Sequence, residues 1–287
     1  MLPHSSTLKQ IRHYLHKELS KIYPDRESGS IIRLIMEHAG IPSPVYLREP
    51  QLIPETSIIS QINEIVSEIH THKPIQYILG YTHFCDLKIV VDENVLIPRP
   101  ETEEMVDKII NRQDKMPGSV LDIGTGSGCI ALALKNEFRN SDVTGLDISK
   151  ASLEVAEANA RLNKLDIRLV EEDILQGSPG LVNEQFGLIV SNPPYITISE
   201  KTGMAANVLN FEPELALFVD DNKPFVYYKS IAAFSRQALH NGGKLWVEIN
   251  EKSGDEIAGI FQNCGLDNIT VHRDIHEKER FIEAIRS

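Results

Sequence analysis

The segment Asn192-Pro193-Pro194-Tyr195 follows directly on an apolar run, Phe186–Ser191. Paired prolines donate no backbone hydrogen bonds and hold their residues extended, so a strand reaching them stops, with its last carbonyls fixed in direction. Such rigidity suits a poor nucleophile. The nitrogen of a carboxamide or an aromatic amine reacts sluggishly because its lone pair is delocalised. Two neighbouring acceptors, the Asn192 side-chain oxygen and the Pro193 carbonyl, would take its two N–H bonds, favour pyramidalisation and aim the lone pair at an adjacent electrophile. Tyr195 would press against the planar target group. The plain alternative is a proline-rich loop with an incidental asparagine cap.

A place for the electrophile is readable upstream. Asp122-Ile123-Gly124-Thr125-Gly126-Ser127-Gly128 closes one apolar run and opens another, Cys129–Leu134. Alternate glycines let the backbone turn sharply and approach a ligand closely, and the helix that follows points free N–H groups at it. Alone, this is also what a tight strand-to-helix turn looks like. Asp147 stands roughly 20 residues further on, where doubly wound folds place a carboxylate that accepts both ribose hydroxyls. The third glycine comes one residue earlier than a nicotinamide dinucleotide requires, so an adenosyl ligand without phosphates suits the loop better. Asp122 is then expected near the ligand's ammonium group and Asp173-Ile174 near its adenine. Asp173 also reads as a solvated carboxylate in the run Glu171-Glu172-Asp173.

These residues need a sheet to hold them. Seven candidate strands, Ser119–Ile123, Asp142–Ile148, Ile167–Glu171, Phe186–Ser191, Lys244–Ile249, Asn268–Arg273 and Arg280–Ile285, alternate with helical patterns. Only Asp274–Glu279 separates the last two, so they are expected to pair antiparallel, giving an α/β fold: a Rossmann-like sheet with an antiparallel edge strand. Leu87, Ile89 and Val91, a turn at Asp92-Glu93-Asn94, and Val95-Leu96-Ile97 suggest a linking β-hairpin, followed by a helix over Glu101–Ile110. Before it, stripes at Ile11/Leu15/Leu19/Ile22, Ile31/Ile32/Ile35/Met36 and Ile58/Ile62/Ile65/Ile69 predict a small helical bundle, with Pro42, Pro44, Pro50 and Pro54 breaking the chain between the last two. The boundary is expected near Lys73-Pro74, dividing the chain into residues 1–75 and 76–287.

Composition narrows the partners. Lys and Arg total 29 against 41 Asp and Glu, a formal charge of −12. Residues 1–75 are balanced, with eight of each sign, so the whole excess lies beyond them. An acidic body works against the displacement of phosphate counterions, and no stable nucleic-acid binding is expected. No run of about 18 apolar residues and no signal-like start occur, which predicts a soluble, cytoplasmic protein without a membrane partner. Cys85, Cys129 and Cys264 form no CxxC pair, and His13/His16 and His70/His72 fall on polar helical faces, so no metal is expected. No G-x-S-x-G elbow is present.

The tetrad, the glycine loop, the upstream Leu96-Ile97-Pro98-Arg99-Pro100-Glu101-Thr102-Glu103 and the downstream Phe211-Glu212-Pro213-Glu214-Leu215-Ala216-Leu217 together resemble the bacterial peptide chain release factor N(5)-glutamine methyltransferases, from about Pro74 onwards. The helical N-terminal segment is similar in size and character to theirs. The tetrad alone is shared with amino-methylating DNA and RNA enzymes; the combination is far more specific. The resemblance implies methyl transfer from S-adenosyl-L-methionine, leaving S-adenosyl-L-homocysteine, to the glutamine of the Gly-Gly-Gln loop of class I release factors, with the N-terminal domain helping to grip the substrate; a monomer is expected. It implies cofactor contacts from Gly124, Thr125, Gly126, Ser127, Gly128, Asp147, Ile174 and Asn192. Arg99, Glu101, Phe211 and Glu212 are expected to join Asn192, Pro193, Pro194 and Tyr195 around the substrate, though the Arg99–Glu103 segment serves equally as a cofactor-pocket wall or an interdomain salt bridge. Several relatives carry an aromatic residue where Ile174 stands, so apolar packing replaces stacking on adenine here. The rival readings are an adenine-N6 or guanine-N2 methyltransferase acting on nucleic acid, a glutamine methyltransferase of a ribosomal protein, and a cofactor-binding scaffold without catalysis.

Overall fold

The computed structural model describes residues 1–112, 116–181 and 183–287, and the chain divides into two compact units. The first comprises Met1–Gly80 with Ala206–Phe211. Its helices are α1 (Leu8–Leu19), α2 (Asp25–His38), α3 (Ser43–Arg48), α4 (Thr56–Ile69) and α5 (Ile75–Leu79). Thr7 starts α1 with a capping box, accepting from the Gln10 backbone N–H while the Gln10 side chain accepts from its own. Ile11, Leu15 and Leu19 then fall on one buried face, and Ile35, Met36, Ile59 and Ile62 are likewise fully enclosed. Asn63 ties the chain start to α4, accepting from Leu2 N and donating to Leu2 O. The proline-rich stretch is not purely a connection: Pro42 caps α3 and Pro44 sits in its first turn, where a missing N–H costs nothing. The unit ends after Gly80, later than Lys73-Pro74, because α5 continues helical and is stopped by Gly80 at a φ of 77°.

The second unit comprises Tyr81–Ala205 and Glu212–Ser287. It runs β1 (Tyr81–Phe84), β2 (Leu87–Val90), α6 (Pro100–Asn111), β3 (Ser119–Ile123), α7 (Cys129–Glu137), β4 (Asp142–Asp147), α8 (Lys150–Asn163), β5 (Arg168–Glu171), β6 (Phe186–Ser191) and β7 (Ile196–Thr197). The helix of the first unit, α9 (Ala206–Phe211), intervenes before α10 (Glu214–Leu217), β8 (Phe218–Val219), α11 (Val226–Ala238), β9 (Leu239–Glu248), α12 (Gly254–Asn263), β10 (Asp267–Arg273) and β11 (Glu279–Ile285). Seven strands form one sheet in the order β10-β11-β9-β6-β3-β4-β5. All seven expected strands are there, and β10 and β11 do pair antiparallel. The reversed strand, β11, is one place in from the edge, antiparallel to β9 as well as to β10. Parallel strands buried on both faces read as continuous apolar runs, and Leu121, Ile123, Leu146, Ile189, Leu245 and Val247 belong to one buried cluster. No helix among the described residues is long and apolar enough to cross a membrane.

The hairpin differs from expectation. It pairs β1 with β2, and its turn is Cys85-Asp86, both at positive φ (46° and 63°) between the partners Phe84 and Leu87. That is the geometry of a two-residue primed turn. Asp92-Glu93-Asn94 is a separate bend in which Asp92 accepts from Asn94 N, and Val95 and Ile97 are buried without pairing as a strand. Asn159 of α8, fully buried, anchors this segment: it accepts from Val90 N at 2.6 Å and donates to Val90 O and Ser127 O at 2.9 Å each. One side chain thus couples β2 to the glycine loop. Asn159→Ala would leave these groups buried without partners, and urea unfolding should show a loss of about 3 kcal/mol, the scale of such unsatisfied groups.

Candidate active site

Parallel strands present their carboxyl ends on one side of a sheet, and ligands settle where the strand order reverses. Here that point lies between β3 and β6: β3 leads to β4 on one side and to β6 on the other. Ser191 locks the pair at its end by donating from Oγ to Ile123 O at 2.7 Å. A cavity of about 300 Å³ opens there, lined by residues of the second unit alone.

The glycine loop forms one wall. Gly124, Gly126 and Gly128 all have positive φ (72°, 54° and 79°), a region where an L side chain is strained. Gly124 N and Thr125 N both donate to Leu146 O, which pulls the loop across the end of β4. Asp122 lies beneath the loop, fully buried, accepting at Oδ2 from Thr125 Oγ1 at 2.6 Å and from Ala131 N at 3.1 Å. Its other oxygen has no partner, and burial pushes its carboxyl up to about 7. Asp122 therefore braces the loop and the start of α7 and does not line the cavity; nor does Gly128, whose α-carbon faces Ala156 of α8.

Asp147, at the end of β4, does line it. Oδ2 accepts from Gly126 N and Oδ1 from Ser149 N, both at 2.9 Å, which fixes the carboxylate plane while burial raises its pKa. Beyond it, Asp173 accepts from Leu175 N, and Ile174 turns into the core at 7% exposure while still reaching the cavity. Ile148, exposed and apolar, and Tyr227 of α11 also line it. Neither was singled out in the sequence, although an apolar residue directly after the carboxylate at a strand end is a readable signal for packing against a flat ring. Glu172 adds a second acidic wall, with one oxygen buried and unpartnered. Among the described lining residues the single basic one is Arg99, and it is engaged elsewhere. The donor set thus disfavours phosphates and accommodates a cationic, ring-bearing ligand with vicinal hydroxyls.

Asn192, Pro193 and Pro194 reach the cavity from the end of β6. Asn192 Nδ2 donates to Thr102 Oγ1 at 3.0 Å, and Thr102 donates to Glu248 at 2.7 Å. Tyr195 turns the other way, its hydroxyl 3.3 Å from Glu248, and lines a second cavity of about 260 Å³ with Pro224, Phe225 and Tyr228. Burial and the neighbouring Glu248 push its phenol well above the ordinary tyrosine range. The tetrad therefore stands between two cavities.

Arg99 and Glu212 meet each other: Nη2 donates to Oε1 at 2.6 Å, and Ile97 N reaches the other oxygen. The Glu212 side chain is 1% exposed, so this ion pair closes the loop before α6 onto the segment before α10 within one unit. Glu101 is half-buried outside the cavity, and Phe211 belongs to the first unit.

Comparison with known proteins agrees in kind. A family model described as a methyltransferase small domain matches residues 102–212. A methyltransferase of known crystal structure from Pyrococcus furiosus superposes with a TM-score of 0.50 at 19% identity, over 70% of this chain and 89% of that one, a likeness of fold. A release factor glutamine methyltransferase of Bacteroides thetaiotaomicron is 36% identical over 280 residues, covering 97% of this chain and all of that one. Another, of Flavobacterium psychrophilum, is 38% identical over 281 residues, covering 96% and 98%. Identity at that level along almost the whole length means that the chain belongs to the release factor glutamine methyltransferase family.

Proposed function

We propose that the protein transfers a methyl group from S-adenosyl-L-methionine to the side-chain amide nitrogen of the glutamine in the Gly-Gly-Gln loop of class I release factors. The observation that carries this reading is the placement of Asn192 and Pro193 at the end of β6, in the same cavity as Asp147 and the glycine loop. The cofactor supplies a methyl already activated on a sulfonium and leaves as S-adenosyl-L-homocysteine. Alignment is then the protein's task. Asp147 would hold the ribose hydroxyls on lone pairs not used by Gly126 and Ser149. Ile148 and Ile174 would pack against the adenine, and Gly124 to Ser127 would lie along the methionine part. The acidic lining favours the cofactor's positive charge.

Asn192 Oδ1 and the Pro193 carbonyl accept the two amide N–H bonds, so that the nitrogen lone pair points at the methyl as the new N–C bond forms and the S–C bond breaks. After transfer the cationic nitrogen would release one proton to water, leaving a neutral methylated amide. The target side chain enters past Tyr195, by way of the second cavity. The helical first unit holds the body of the release factor.

Mass spectrometry of purified release factor, incubated with the enzyme and S-adenosyl-L-methionine, should show one added methyl on the Gly-Gly-Gln glutamine. Labelled methyl appearing in duplex DNA, RNA or a ribosomal protein instead would overturn the assignment. Asn192→Ala should cut turnover on the order of 10²-fold or more, as loss of a transition-state hydrogen bond does, while cofactor affinity by calorimetry stays within a few-fold. Asp147→Ala should do the reverse, weakening cofactor affinity by about tenfold or more through loss of charge-assisted hydrogen bonds.

A further inference from the structure

A carboxamide has two ends of nearly the same shape, so only its hydrogen-bond partners decide whether oxygen or NH2 faces outward. For Asn192 that choice decides everything, since an amide substrate needs an acceptor there and an NH2 would repel it. The deciding partner is Thr102 on α6, which is 2% exposed. A hydroxyl carries one proton. Thr102 donates its proton to Oε2 of Glu248, leaving only lone pairs to offer Asn192 Nδ2. Asn192 must then turn its NH2 towards α6 and its oxygen away from it. The second oxygen of Glu248 receives the Tyr195 hydroxyl, and its backbone carbonyl receives the Tyr228 hydroxyl at 3.0 Å. One carboxylate at the end of β9 thus holds both ends of the tetrad.

We propose that Glu248, acting through Thr102, is a positioning residue that sets which end of the Asn192 amide faces the substrate. This rests on the reading of Asn192 as the amide acceptor and extends it to the residues that polarise it. The arrangement requires an ionised Glu248. Protonated, Glu248 can donate to Thr102, freeing the threonine proton for Asn192 Oδ1 and turning NH2 towards the substrate. The groups facing Glu248 are Thr102 and Glu101 on α6, Tyr195 after β6, Tyr228 on α11 and Arg280 on β11. Burial outweighs the hydrogen bond from Thr102 and the charge of Arg280, and pushes the carboxyl up to about 7. The ionised, productive form is therefore present above that pH and lost as pH falls through it.

The test compares wild type with Glu248→Gln, Thr102→Val and Thr102→Ser at saturating cofactor, reading kcat against pH, KM for release factor, and cofactor affinity. Glu248→Gln keeps the shape but can offer an NH2 to Thr102. It should lower kcat by roughly 10- to 100-fold, the scale of a misplaced transition-state acceptor, with KM and cofactor affinity within a few-fold. The one-proton decline of kcat below about pH 7 should be present in wild type and absent in Glu248→Gln. Thr102→Val should reproduce the loss, and Thr102→Ser should recover most of it; this pair decides the matter if Glu248→Gln does not fold. Wild-type kcat in Glu248→Gln or Thr102→Val, or an acid decline that survives in Glu248→Gln and so belongs to a group such as Asp122, overturns the proposal. Should those variants be active while Asn192→Ala is inactive, the inference fails alone; normal turnover in Asn192→Ala sinks the underlying mechanism instead.

Discussion

The constraint from which the rest follows is the side-by-side termination of β3 and β6. Parallel pairing carries Ile123 and Ser191 to the same level, and the hydroxyl of Ser191 on the Ile123 carbonyl holds them there. Immediately beyond, one strand passes into the glycine loop, whose three glycines hold positive φ, and the other into the diproline. Donor pocket and acceptor tetrad are adjacent for that reason alone.

Around this point the polar groups are arranged in layers of decreasing exposure. Asp147 contacts the cavity and is held by backbone N–H groups. Asp122 and Glu248 are completely enclosed, one beneath the glycine loop and the other beneath the tetrad. Their burial raises both carboxyls towards neutrality, yet each is held by side-chain or backbone donors that also define the geometry above it. Removing charge from water is costly, and a fold retains such groups where orientation is worth more than stability.

Much of this was legible beforehand. Strands buried on both faces leave apolar runs, so all seven strands of the main sheet were readable, though β9 starts at Leu239, before the expected Lys244, and the short β7 and β8 were not foreseen; the glycine and proline motifs fell at the ends of β3 and β6. What escaped was non-local or disguised. Val91, Val95 and Ile97 have the burial of a strand pair but do not pair as one, whereas the true turn at Cys85-Asp86 lacks the usual glycine. Glu248 follows Leu245-Trp246-Val247 as a solvated strand end would; only the packing of α6 and Tyr195 over it reveals its place. Arg99 and Glu212 were each recognised as special, but sequence does not say that residues so far apart answer each other.

The reversed strand β11 has a further consequence for how the molecule comes together. β9 carries Glu248 at its tip and is flanked by β6 on one side and β11 on the other, so an interior strand of the sheet awaits a segment that is made after β10. Arg280, which faces Glu248, arrives with the same strand. One strand thus both flanks β9 in the sheet and completes the electrostatic surroundings of the tetrad, so a chain that misregisters there loses both together.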